Sequence, residues 1–135
     1  MEGTQLTVTH SEQMNELAEA VALAQSKMHN PGFDSFNPYF DSKYASLAAV
    51  RDVVIPRLAE VGIAITQMPI TDLERHAAGC LTTLWHKIGQ FLSHTVLLPV
   101  INSNKRSKSG YGQEVSDPTL PPNVQNYCGA FTYAR

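Results

Sequence analysis

A chain of 135 residues can build one domain with a core and is too short for a two-domain enzyme. With 43% hydrophobic and 16% charged residues, eight glycines and eight prolines, it is not a collagen, a coiled coil or a wholly disordered chain. Ten Lys and Arg against twelve Asp and Glu give a net charge of −2, so a bulk basic surface is excluded and any phosphate binding must come from local clustering.

The apolar residues Met14, Leu17, Ala18, Val21, Ala24 and Met28 recur at helical spacing, and Glu12, Glu16 and Glu19 load the first turns with negative charge. The spacing predicts an amphipathic helix over residues 11–28. Its start is capped by Thr9, with Glu12 completing a capping box, or by Ser11, and Asn30, Pro31 and Gly32 end it.

Residues 33–44 hold five of the eleven aromatic residues, Phe33, Phe36, Tyr39, Phe40 and Tyr44, among Asp, Asn, Ser and Pro. This composition predicts a loop, with Phe33, Phe36 and Phe40 packed beneath it. Tyr39 and Tyr44 suit a wet edge or a stacking platform for bases. A second helix follows from about Ser46, with Leu47, Val50, Val54, Leu58 and Val61 on its apolar stripe and Gly62 closing it. Pro56 inside that pattern predicts a kink or a break, and Arg51 and Arg57 fall off the stripe toward solvent.

After Gly62 the period changes from helical to alternating. Residues 63–68, 80–86 and 91–98 read as three strands, the last two joined by a hairpin through Lys87, Ile88, Gly89 and Gln90. Residues 69–79 form a longer polar connection. The expected fold class is α+β, with N-terminal helices covering one face of a three-stranded antiparallel meander and a C-terminal helix at the end. Residues 102–122 read as a mobile basic loop carrying Lys105, Arg106 and Lys108. Beyond Pro121 and Pro122, the residues Val124, Tyr127, Cys128 and Phe131 return to helical spacing, and the helix runs to Arg135 as if cut inside its last turns.

Charge is divided along the chain. Residues 1–74 carry four basic and ten acidic side chains, a balance of −6, and residues 75–135 carry six and two, a balance of +4. One basic and one acidic face are expected. Cys80 and Cys128 form no CxxC, so no disulfide framework or zinc ribbon is indicated and a reducing compartment is the simpler reading. With no signal segment and no span of the roughly 20 apolar residues a bilayer needs, a soluble cytoplasmic protein is expected.

Enzyme signatures are scarce, with no phosphate loop, GxGxxG, HExxH or GxSxG. His76, His86 and His94 lie near Cys80, but their spacing fits no tetrahedral metal site, and no metal is expected. His86 and His94 flank a hairpin, where they are ordinary residues or, in a small metal-dependent nuclease, a general acid and base. Placement alone makes Arg51, Lys87, Lys105, Arg106 and Lys108 candidates for neutralising phosphates.

Two end motifs carry a family resemblance. The segment 37–47, NPYFDSKYASL, with Val50, Pro56, Leu58, Gly62 and Gln67 after it, resembles the start of the ERF (essential recombination function) family of phage single-strand annealing proteins. Gln125, Gly129, Ala130 and the closing Thr132, Tyr133, Ala134 and Arg135 are similar to the family's TYAR element, and the strand 81–86 with Gly89 resembles its hairpin. The resemblance covers roughly residues 14–135.

It implies a β-β-β-α core as in annealing proteins, homo-oligomeric rings or filaments, and sequence-independent binding and annealing of single-stranded DNA. It also implies no nucleotide cofactor, no catalytic residues and a role in phage homologous recombination beside phage or host recombination proteins. In the family the element continues past TYAR, so the chain reads as one DNA-binding domain, 1–135, truncated at its C-terminus. The family pattern assigns DNA contact to Lys43, Tyr44, Tyr133 and Arg135. The competing classes are a ring-forming protein-interaction domain without DNA contact and the nuclease already named.

Overall fold

A three-residue strand, β1 (Val8–His10), precedes helix α1 (Asn15–Lys27) in the computed structural model, which describes residues 8–100 with Tyr127, Cys128 and Ala130. The helix begins later than its sequence suggests, because Ser11 is engaged elsewhere. Its backbone N–H donates to the Phe91 carbonyl at 3.0 Å, and its Oγ accepts from the Phe91 N–H at 3.1 Å. The N-cap position falls to Met14, which makes no side-chain cap. Gln90 supplies the missing acceptor: its Oε1 takes the Leu17 N–H at 2.8 Å, and its Nε2 donates to Asn15 Oδ1 at 3.0 Å. One of the helix's orphan donors is thus satisfied from 73 positions away. Leu17, Ala20 and Ala24 are buried, and Ala18, expected on the stripe, is exposed.

Residues 33–44 are not a loop packed on its aromatics. They form an antiparallel hairpin of β2 (Ser35–Asn37) and β3 (Ser42–Tyr44), in register Ser35 to Tyr44, Phe36 to Lys43 and Asn37 to Ser42. Helix α2 (Leu47–Glu60) follows, capped by Ser46, whose Oγ accepts from the Ala49 N–H at 3.1 Å. Pro56 neither breaks nor divides it. The carbonyl that loses its partner belongs to Asp52, an exposed residue, so the missing N–H does not leave a buried acceptor. Arg51 is exposed as expected. Arg57 is half-buried and paired with Glu60 at 2.8 Å.

Gly62 ends the helical stretch with φ 77°. Three long strands follow: β4 (Ile63–Asp72), β5 (Ala77–His86) and β6 (Phe91–Pro99). The expected polar connection 69–79 shrinks to a tight turn, because β4 runs on to Asp72 and β5 starts at Ala77. The sheet is mostly antiparallel and four-stranded rather than three-stranded, in the order β1-β6-β5-β4, with β2 and β3 forming a separate sheet. The fold class is α+β.

The chain divides into two compact units, and β4, β5 and β6 contribute residues to both. One comprises residues 8–66 and 83–93. Its core is Leu17, Ala20, Ala24, Leu58 and Ile63, with Val54, Ile65, Leu84 and Leu92 packed against them. The described part of the other comprises 67–82, 94–100, Tyr127, Cys128 and Ala130. Its core is Ala78, Val100 and Ala130, with Leu98 and Tyr127 beside them. Gly79 there lies against the Val96 carbonyl, in space that a Cβ would fill. Tyr127, Cys128 and Ala130 are helical, and the remainder of the expected C-terminal helix lies outside the described residues, as does the loop 102–122.

Candidate nucleic-acid interface

The β2–β3 hairpin is built to hold side chains out from the protein rather than to cover a core. Direct pairing of Phe36 with Lys43 puts an aromatic ring and an ammonium side by side on one hairpin face. Tyr44, opposite Ser35, occupies the other face. At the tip, Tyr39 and Phe40 meet edge to face with centroids 4.8 Å apart. Phe36, Tyr39 and Phe40 are 53%, 85% and 71% exposed. Packing beneath the segment, expected for Phe33, Phe36 and Phe40, is therefore not what these residues do. Among the described residues, none of the three belongs to a core cluster.

Both ends of the hairpin are pinned by polar side chains. At the tip, Asn37 Oδ1 accepts from the Tyr39 N–H at 2.9 Å and from the Phe40 N–H at 3.4 Å, an Asx turn. Asp41 closes the turn with φ 49°, a left-handed conformation that Asp tolerates better than most residues. At the base, Asp34 Oδ2 accepts from Ser46 Oγ at 2.6 Å, and Oδ1 accepts from the Ser46 N–H at 2.7 Å. The donating Ser46 hydroxyl and amide hold the Asp34 carboxyl below the usual carboxylate range. Since Ser46 also caps α2, the same residue ties the hairpin to the helix. Asn before a turn and Ser before a helical run are the sequence signals that mark Asn37 and Ser46, and Asp34, whose partner lies twelve positions away, has no local signal.

Of the other expected DNA-contacting residues, Arg51 lies on the exposed surface of α2, one turn beyond the cap. Lys87 lies at the β5–β6 turn, its N–H donating to the Gly62 carbonyl at 2.9 Å and its stem crossing Gly62 so closely that a Cβ there would stand 2.7 Å from Lys87 Cδ. Lys43, Arg51 and Lys87 make no ion pair among the described residues. Lys105, Arg106, Lys108, Tyr133 and Arg135 lie outside the described residues. His86 is buried with Nδ1 unpartnered among the described residues, and His94 is half-buried. Among the described residues no three His, Cys, Asp or Glu side chains gather to hold a metal, and no helix is long and apolar enough to cross a membrane.

The chain matches no known protein family, no curated protein and no solved structure.

Proposed function

We propose that this chain binds single-stranded DNA without sequence preference and anneals complementary strands without ATP or catalytic residues. The setting implied by the ERF resemblance is phage recombination in a bacterial cytoplasm, with the chain assembled as a ring or filament on a β-β-β-α core that ends in the C-terminal helix. The observation that carries this reading is the pinned hairpin: Lys43 and Phe36 share one face, and Tyr39 and Phe40 project from the tip. Annealing makes two demands that this arrangement meets. The repulsion between two phosphate backbones is relieved by cations such as Lys43, with Arg51 and Lys87 adding to it. Base edges must stay free to test pairing, and an aromatic ring stacks on the face of a base while leaving its edges open.

The test is fluorescence anisotropy of labelled oligo(dT) at two salt concentrations. Three phosphate contacts from Lys43, Arg51 and Lys87 give a log–log slope of about −2, so affinity falls about 20-fold between ~50 and ~200 mM salt. Absence of binding at low salt refutes the reading, and so does binding indifferent to salt.

A second reading has its own support. Phe33, Leu47 and Val50 are exposed as well, and a wide apolar surface is what a second copy or another protein covers. In that case the hairpin is an assembly contact, and charge reversal at Lys43 leaves annealing untouched.

A further inference from the structure

We propose that the face of the sheet around Trp85, turned away from the core that α1 and α2 cover, is a stacking platform for the unpaired bases of single-stranded DNA, an inference that rests on the function proposed above and adds a second site to it. Leu84 and Leu92 pack into the helical core, so by the two-residue period of a strand their neighbours Trp85 and Phe91 lie on the opposite face. There the indole is held along two directions. Its Nε1–H donates to Thr66 Oγ1 at 2.9 Å, and its ring leans on Phe91 with centroids 5.4 Å apart and planes 41° apart. Thus fixed, it remains 42% exposed.

An exposed tryptophan usually loses rotamer freedom when a ligand covers it. Trp85 has lost that freedom already, which lowers the cost of binding. The surrounding chemistry favours a flat, uncharged ligand. Alternation places the exposed Ala64 and Thr66 on the same face, with Thr83 and Ser93 buried there and hydrogen-bonded to each other, and none of the four carries a charge. A carboxylate that would repel phosphate is missing from this set, and Lys87 stands two residues beyond Trp85 without an ion pair among the described residues. A neutral aromatic surface beside a cation complements a nucleotide chain, with the base on the ring and the phosphate on the ammonium. A sheet with helices on one face and aromatics on the other is a recurrent way of reading single strands.

Trp85 is the only tryptophan in the sequence, so its emission reports this site alone. The full chain is titrated with oligo(dT) while tryptophan emission and the anisotropy of a labelled oligo(dT) are followed in parallel. The expected result is quenching that tracks the anisotropy, with W85A binding about tenfold more weakly and W85F, which keeps a ring, staying close to the unmodified chain. Thermal melts of both variants separate lost binding from lost folding, and the quenching of the unmodified chain decides the matter if W85A does not fold. DNA binding with unchanged emission overturns the platform and leaves the proposed function standing. No anisotropy change in the unmodified chain overturns both. Emission that follows protein concentration and ignores DNA assigns the face to a second copy of the chain and overturns the platform.

Discussion

Removal of the two rings at the hairpin tip separates stability from binding. Tyr39 and Phe40 are 85% and 71% exposed. A side chain of that kind spans about 150–250 Å², so only roughly 20–40 Å² of Tyr39 and about 45–70 Å² of Phe40 is covered in the folded chain, on the order of 1 kcal/mol per ring at ~25 cal/mol/Å². The urea midpoint should therefore move by about 0.5 M for either Y39A or F40A, given a slope of about 2 kcal/mol/M. Binding should change far more. Loss of a base-stacking ring costs about 1–3 kcal/mol, or roughly 5- to 150-fold in affinity. Anisotropy titration of labelled oligo(dT) and urea melts of the same preparations measure the two effects side by side. F40L sharpens the test, because leucine keeps the apolar bulk and removes the π face. Stacking predicts that F40L binds as poorly as F40A. If F40L binds like the unmodified chain, the tip is a general apolar contact and the stacking argument is refuted.

Gln90→Leu leaves the buried Leu17 N–H without an acceptor and should destabilise the chain by about 1–3 kcal/mol in urea melts; Asn15→Ala, which removes only the second bond, should cost less. Gly79→Ala drives a methyl into the Val96 carbonyl on the facing backbone, so a loss above about 2 kcal/mol is expected, with faster amide exchange at Val96 and Leu97. Asp34 gives a pH dependence: its folded pKa is depressed, so its contribution to hairpin anchoring is complete above the ordinary carboxylate value of about 3.9 and is lost as pH falls through the lower folded value. The Ser46 amide shift followed by NMR should titrate in that acid window, and Asp34→Asn should abolish the titration.

The helices and long strands were legible because their apolar periods are long and face one core. Leu17, Ala24 and Leu58 bury as the helical period requires, and the change of period after Gly62 marks the start of the long strands. What escaped is short or held by distant partners. The hairpin strands have three residues each and no buried face, so they lack the apolar alternation that marks a strand. The α1 start was misplaced because Ser11 bonds Phe91 and the cap comes from Gln90, contacts that exist only after folding.

Of the candidate site, Arg51 stands exposed as its place off the apolar stripe suggested, and Lys43 and Tyr44, which the family pattern singled out, are exposed too. The exposure of Phe36 and Phe40 was hidden, since an aromatic cluster reads the same whether it packs or projects. Trp85 was invisible for a related reason. Alternation tells that neighbours on a strand face opposite ways, and only the packing of Leu84 and Leu92 tells which way the helices lie.

The central claim is strand annealing by a protein that holds backbones and leaves base edges free. Its most direct measurement is the pairing rate of two complementary oligonucleotides carrying a donor and an acceptor dye, with and without the chain and with no nucleotide present. A faster rise in energy transfer that weakens with salt and with Lys43→Ala is predicted. A pairing rate unchanged by saturating protein contradicts it.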